Sequence, residues 1–387
     1  MRARSLPAGV LVLATLILLL GSADLFAETK SSVTISSYTS LLYSGNLEDP
    51  VEVAALLKSS LNVDSVGNKN VKGYFQLDSW IAESFGFDIP RAYLKVRFPG
   101  FRLILGKTRV SWGEGFVFNA GDVLFGSMGA ISGDLSGESL RAETGWLGVL
   151  YVPLGSFSFL EAVLAPYSLP APIGTLQTDF AFLADTVSLD QLSGGARGVF
   201  KMGRTTLETG YYASGTEAEH RAYISTHGYL LVDWTLSASM TIPMFDPQWQ
   251  QWDEWLAISA SVFRQLKLGP DRDLTFRLEA AIRPGALWQE ASGADAIHAG
   301  LPGAPEYGLY LFPEFALPLS DTLSLQLRSL ISPVDLSALS MVSVSWNVYQ
   351  GLHIYNYLSL MNGDGNDLYG TDRLGGVGWT VGLEFIY

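Results

Sequence analysis

Apolar and wettable residues change places at every second position through much of the chain. Ala92, Leu94, Val96 and Phe98 alternate with Arg91, Lys95 and Arg97. Trp234, Leu236, Ala238 and Met240 enclose Thr235 and Ser237; Leu274, Phe276, Leu278, Ala280 and Ile282 enclose Arg277 and Glu279; Leu323, Leu325 and Leu327 are followed by Arg328 and interrupted by Gln326. Side chains two apart in a strand share a face, so each stretch predicts a strand with one face for lipid and one for water. Read this way, strands fall at 32–43, 51–66, 71–82, 90–98, 101–110, 139–152, 156–165, 194–201, 204–213, 220–227, 229–244, 255–268, 272–283, 308–318, 321–331, 338–347, 350–360 and 376–387. The segment 51–66 also suits a helix over Val51–Lys58, and 220–227 is short; with both the count is about 18, without them about 16, and an even number keeps both termini on one side.

Connections alternate in length. Pro99-Gly100, Pro153-Leu154-Gly155, Met202-Gly203, Gly269-Pro270-Asp271 and Leu319-Ser320-Asp321 make tight turns, whereas 111–138, 166–193, 284–307 and 361–375 are long. Short turns on the periplasmic side and long loops outside are what a membrane barrel requires. The last strand places Val377, Trp379, Val381, Leu383, Phe385 and the terminal Tyr387 on one face. Ending on an aromatic residue resembles the closing strand of bacterial outer-membrane β-barrels. The resemblance implies outer-membrane lipid around the wall and recognition of Tyr387 by the barrel-assembly machinery.

At the other end, Arg2 and Arg4 precede an apolar run from Val10 to Leu20 and small residues leading to Ala23 and Ala27. This is the layout of a secretory signal peptide, assigned to residues 1–27, with one barrel domain over 28–387. The run is shorter than the roughly 20 residues that a spanning helix needs. No Pro/Gly/Ser-rich linker divides the domain.

Composition sharpens the picture. Hydrophobic residues make up 48% of the chain and charged residues only 16%, against about 25% in soluble domains. Apolar residues on alternate positions accumulate to such a total without ever forming a spanning run. The formal charge of −14 argues against a nucleic-acid partner, and acidic loops would suit a cell-surface rim. Cysteine is absent, which removes disulfides and a lipid-anchored start. The expectation is an all-β transmembrane antiparallel β-barrel of 16–18 strands. At that size wall side chains cannot fill the interior, so passive diffusion of small hydrophilic solutes or ions is the expected function.

One segment carries the candidate selectivity chemistry. Between Asp88 and Glu114 there is no acidic residue, but Arg91, Lys95, Arg97, Arg102, Lys107 and Arg109 lie there. The phase turns Arg91, Lys95, Arg97 and Arg102 toward the lumen. Lys107 and Arg109 have the lipid-side phase, which would cost about 2–4 kcal/mol each near midplane; a bulge at Gly106 would turn them inward. The following loop, Ser111 to Ser139, holds Glu114, Asp122, Asp134 and Glu138 and no Lys or Arg. Here the chain resembles porins whose third outer loop folds inward. That resemblance implies pore-lining Arg91, Lys95, Arg97, Arg102 and Arg141 facing constriction-loop carboxylates Glu114, Asp122 and Asp134 across a transverse field. It also implies a homotrimer as the common assembly. The residues themselves are equally compatible with a solvated face and ordinary salt bridges.

Leu105-Gly106-Lys107 through Trp112-Gly113-Glu114-Gly115, then Asn119 and Asp122, is similar to a strand-to-loop motif of porin-like families, L-G-[KR]-x-x-x-x-W-G-E followed by N-P-x-D, with Ala120 at the proline position. Physically, Gly113 and Gly115 permit positive φ around a tryptophan anchored at the interface, and Asn119 and Asp122 cap local turns.

Other constellations carry less. His353 shares the lumen phase with Tyr355 and Tyr357 and could meet Ser345, but four histidines without a nucleophile set read as wall polarity rather than an enzyme. Asn362 to Asp367 opens like a calcium loop but has Arg373 where the closing glutamate belongs, so no metal or cofactor is expected. Trp249, Trp252 and Trp255 form an interfacial girdle, or more pointedly a stacking platform for sugars. Two rival functions stay open: a transporter of hydrophobic compounds with a plugged lumen, and a surface adhesin built on the long loops.

Overall fold

The computed structural model describes residues 29–43, 51–68, 70–82, 84–126, 144–166, 191–245, 247, 249–269, 272–286, 290–291, 306–364, 367–370 and 376–387. Its strands are β1 (Thr29–Tyr43), β2 (Glu52–Asn68), β3 (Val71–Ile81), β4 (Phe85–Arg97), β5 (Arg102–Thr108), β6 (Gly145–Pro153), β7 (Phe159–Ala165), β8 (Ser193–Met202), β9 (Thr205–Ser214), β10 (Glu219–Tyr229), β11 (Asp233–Pro243), β12 (Leu256–Lys267), β13 (Asp273–Ile282), β14 (Glu290–Ala291), β15 (Glu306–Tyr307), β16 (Leu309–Pro318), β17 (Leu323–Ser332), β18 (Ser337–Tyr349), β19 (Leu352–Asn362) and β20 (Val377–Ile386). The predicted segment 1–27 lies outside the described residues.

All but the small β14–β15 ribbon join one 18-stranded antiparallel sheet, in which β13 pairs with β16 and β1 pairs with β20 from Thr34↔Ile386 to Tyr43↔Val377. The sheet is therefore closed, with no free edge. At the seam, Val33 and Tyr387 exchange two backbone hydrogen bonds of 2.9 Å. Both short-signal strands form. β2 is held between β1 and β3, and β10 between β9 and β11, so ladder pairing on both sides overrides the helical tendency of Val51–Lys58.

The two faces follow the sequence alternation. Leu94, Leu105, Leu164, Ile224, Leu236, Phe315, Trp379 and Leu383 are exposed on the outside. A continuous apolar belt of this kind is a surface for lipid. Inner positions are polar and satisfy one another across strands, as in Ser225–Ser237 (2.7 Å), Ser324–Ser345 (2.6 Å) and Ser40–Thr380 (2.8 Å). No helix among the described residues is long and apolar enough to cross a membrane.

Burial inside the barrel is concentrated in two clusters. One joins Val110, Trp112, Val123, Leu124 and Phe125 to Leu147, Val163, Tyr212 and Tyr223. The other joins Val117, Phe118, Leu368 and Tyr369 to Ala281, Tyr310, Phe312, Leu330 and Leu339. The connections after β5 and β19 thus supply the packing that the wall alone does not.

Candidate functional site: the pinned segment and the inner wall

The site begins where β5 ends. Gly106 has φ +134°, and a Cβ there would collide with the Ala92 carbonyl. Only glycine tolerates that backbone. Beyond it, Lys107 is buried and pairs with Asp88 at 3.4 Å instead of facing lipid. Arg109 pairs with Asp122 at 2.8 Å, and Asp122 is 1% exposed.

Residues 110–126 are then fixed by carboxylates projecting from wall strands. The Trp112 indole is 0% exposed, and its Nε1 donates to Glu161 on β7 at 2.8 Å. Gly113, at φ +67°, donates its N–H to Glu208 on β9 at 2.8 Å. The Tyr223 hydroxyl donates to the same Glu208, and its ring stacks on Trp112 with centroids 5.8 Å apart. Arg197 on β8 lies 2.9 Å from Glu161 and 2.8 Å from Glu208, and also donates to the Ser111 carbonyl at 2.8 Å. Two carboxylates and one guanidinium satisfy one another here, which is what makes ions tolerable in a buried setting.

Farther along, Glu279 on β13 accepts three consecutive backbone N–H groups, from Phe116, Val117 and Phe118, at 2.9, 2.8 and 2.9 Å. Ser259 on β12 accepts the N–H of Ala120 at 2.8 Å. The Arg277 guanidinium sits 3.6 Å over the Phe116 ring and pairs with Glu314 at 3.3 Å. Local capping completes the segment: Asn119 donates to the Trp112 carbonyl at 2.8 Å and accepts from Gly121, while Asp122 accepts from Phe125 at 3.2 Å.

A second short stretch is pinned similarly. Asp335, in the β17–β18 turn, accepts from Leu368 N at 2.8 Å and from Ser337 N and Oγ at 3.1 and 2.8 Å. Burial alone would raise the Asp335 carboxyl, but these donors hold it below the ordinary carboxylate range. Burial pushes the adjacent Tyr369 phenol well above its usual range.

The sequence-predicted residues divide into three groups. Lys95 and Arg97 lie on β4, with Lys95 opposite Lys72 and Arg97 directly opposite Arg102 beside the Phe98–Phe101 turn. Arg91 pairs in register with Gln76, and Arg102 stacks at 4.1 Å over the Tyr151 ring. Among the described residues, Arg91, Lys95 and Arg97 form no ion pair. Glu114 is half-exposed and 3.6 Å from His227 Nδ1. Asp122, by contrast, is committed to Arg109. Arg141 and Asp134 lie outside the described residues.

Several details differ from the sequence reading. Trp112 is enclosed by the inner wall rather than held at an interface. Gly113 has the positive φ, whereas Gly115 is set by close approach to the Phe118 carbonyl. His353 stands opposite Asn347 and Glu384, not Ser345, which bonds to Ser324. Trp255 is buried against Trp249, while Trp249 and Trp252 are exposed. The anchors Glu161, Glu208 and Glu279 were not singled out. For Glu161 and Glu208 the signal was present, since each is the one charged residue of its strand and lies on the water-side phase; Glu279 shares β13 with Asp273 and Arg277 and stands out less.

No protein-family model matches the chain, and no curated relative does. Solved structures do. OccAB1 of Acinetobacter baumannii matches with TM-score 0.57 and 10% identity over 95% of this chain and 98% of its own. OprD of Pseudomonas aeruginosa matches with TM-score 0.56 and 10% identity over 94% of each chain. Wzi of Escherichia coli, an outer-membrane, carbohydrate-binding β-barrel involved in Group 1 capsule assembly, matches with TM-score 0.57 and 15% identity over 99% of this chain and 89% of its own. At these identities the likeness is one of architecture, and it agrees with the lipid-facing belt: the chain has the fold of bacterial outer-membrane porin barrels.

Proposed function

We propose that the protein is a passive channel of the outer membrane for small hydrophilic solutes or ions. The carrying observation is the inner row Arg91, Lys95 and Arg97, cations without an acidic partner among the described residues, on the wall of a closed 18-stranded barrel. Unpaired cations along a low-dielectric wall raise the local concentration of anions and set charge preference. In this reading Arg102 extends the row and residues 110–126 narrow the passage. Glu114 is the loop carboxylate that a solute meets, Asp122 serves as the clasp that holds the loop, and Asp134 and Arg141 extend the two charged sides. The closed 18-stranded barrel, of the architecture that a BenF-like porin from Pseudomonas fluorescens also has, supports a channel. Tyr387, exposed at the seam, is the residue offered to the assembly machinery, and a homotrimer is the proposed assembly.

Planar-bilayer recording tests the channel: stepwise conductance is expected from refolded protein, and its absence would reject the reading. Neutralising Arg91, Lys95 and Arg97 together to glutamine should shift the reversal potential toward cation preference in a salt gradient. An unshifted potential would reject the assigned row.

A further inference from the structure

Among the described residues, the two clusters around residues 110–126 draw their buried wall members from β6, β7, β9, β10, β13 and β16–β18, and the β19–β20–β1 arc adds only the partly buried Met361. That arc is unlike the cationic row. On β19, His353, Tyr355 and Tyr357 form a near-parallel row, with ring centroids 6.2 and 5.9 Å apart and interplanar angles of 15° and 10°. The Tyr355 hydroxyl donates to Glu384 on β20 at 3.0 Å, so this ring leans sideways across the wall instead of standing out from it.

From the opposite side, Tyr38 on β1 leans over the same strand. A Cβ placed on Gly382 would lie 2.7 Å from two carbons of the Tyr38 ring and 3.5 Å from Tyr355 Cβ. Gly382 is therefore the floor on which Tyr38 rests, and two tyrosines converge over one glycine. Acceptors and donors frame them: Glu384 on one side and the Ser40–Thr380 hydroxyl pair, 2.8 Å apart, on the other.

Rings laid along a wall, bordered by hydroxyls and a carboxylate, suit a solute that is apolar on the faces of its ring and hydroxylated around its rim. Amino-acid side chains that pair an apolar body with a polar tip are the ones that meet such mixed surfaces. We infer that this arc is a saccharide track: Tyr38 and Tyr355 stack on pyranose faces, while Glu384 and Thr380 receive or give hydrogen bonds to sugar hydroxyls. Placed inside the lumen, the track would guide oligosaccharides along the passage. This inference rests on the channel reading and names its solute class.

The test is current block. Maltotriose, chitotriose and trigalacturonate would be titrated against single-channel current, with a polyethylene glycol of matched size as the ringless control. At least one trisaccharide should interrupt the current at a tenfold or lower concentration than the control. Combining Tyr38→Ala and Tyr355→Ala should raise its half-blocking concentration about tenfold or more, as expected from losing two ring contacts. Gly382→Val, which removes the floor beneath Tyr38, should act in the same direction while leaving the lipid face intact. Block no better than the control, or block untouched by all three changes, would overturn the track while conductance itself still stood. If no conductance were found, calorimetry of the same sugars against folded protein in detergent would decide: binding lost in the double variant upholds the track, and no binding overturns it.

Discussion

Replacing Glu279 probes the largest single anchor of the segment crossing the inner wall. Its carboxylate is 2% exposed and accepts the amides of Phe116, Val117 and Phe118 at 2.8–2.9 Å. Hydrogen bonds to a charged group contribute about 1.5–3 kcal/mol each. Glu279→Ala removes all three, but it also creates room for water to solvate the freed amides, so the lower end applies and the loss is of order 3–5 kcal/mol. At 1.4 kcal/mol per tenfold, local opening of residues 116–118 becomes about a hundred- to a few thousandfold more frequent. The barrel should persist, because its ladders and lipid face are untouched. Hydrogen exchange of the peptide covering 110–126, measured by mass spectrometry on folded protein in detergent, reads this opening directly. Glu279→Gln keeps the shape and one good acceptor but turns an amide N–H toward a backbone donor, and should lie between wild type and alanine. Exchange in the alanine variant within about threefold of wild type, with the barrel still folded, would refute the assignment of Glu279 as the anchor.

Three further outcomes follow from the geometry. Gly106→Ala forces an L-residue onto φ +134° against the Ala92 carbonyl, so a strain of several kcal/mol should lower the folded yield seen by heat-modifiable gel mobility; an undiminished yield would show that the turn relaxes. Trp112→Phe removes the donor to Glu161 while keeping most of the ring packing, and should increase protease cutting within 110–126 without unfolding the barrel; equal cutting rates would deny the indole a holding role. Asp335 is held below its ordinary range, so its stabilisation of the Leu368–Tyr369 stretch is complete above the ordinary carboxylate range and is lost as pH falls through that range and below; acid should loosen this stretch in wild type and change it little in Asp335→Asn, by pH-dependent hydrogen exchange.

The wall was legible in the sequence because one physical rule governs it. A strand between lipid and water must alternate, and a one-residue error would send every side chain to the wrong solvent, so even the faint β2 and β10 could be placed within a few residues. The interior obeys no such rule. A residue on the water-side phase can face solvent, pair across strands or hold a loop, and period two is the same in all three cases. Lys107 tests the rule from the other direction: its formal phase points to lipid, and the cost of a lipid-facing lysine pointed to a bulge at Gly106 that turns it inward. It is indeed buried beside Asp88, though through the unusual backbone angle at Gly106 with the ladder register unbroken. Trp112 was equally ambiguous, since a tryptophan beside glycines at a strand end suits an interface or a core. What decided it was Glu161, 49 positions away in sequence.

The acidity of the chain illustrates why that ambiguity matters for function. A formal charge of −14 suggests a rim of solvated loop carboxylates. Yet Glu161, Glu208, Glu279, Glu314 and Asp122 are all buried, engaged by Arg197, by backbone amides, by Arg277 or by Arg109. These carboxylates hold the interior together and add little net negative potential to it, because each faces a guanidinium or a set of N–H dipoles. The row on β4 has the opposite character, with Arg91, Lys95 and Arg97 forming no ion pair among the described residues. On the channel proposed above, the potential inside the passage is set by which charges are left uncompensated, and its sign can oppose that of the whole chain. A net-negative protein with an anion-preferring interior is the expected consequence, and the reversal potential of the wild-type channel measures it.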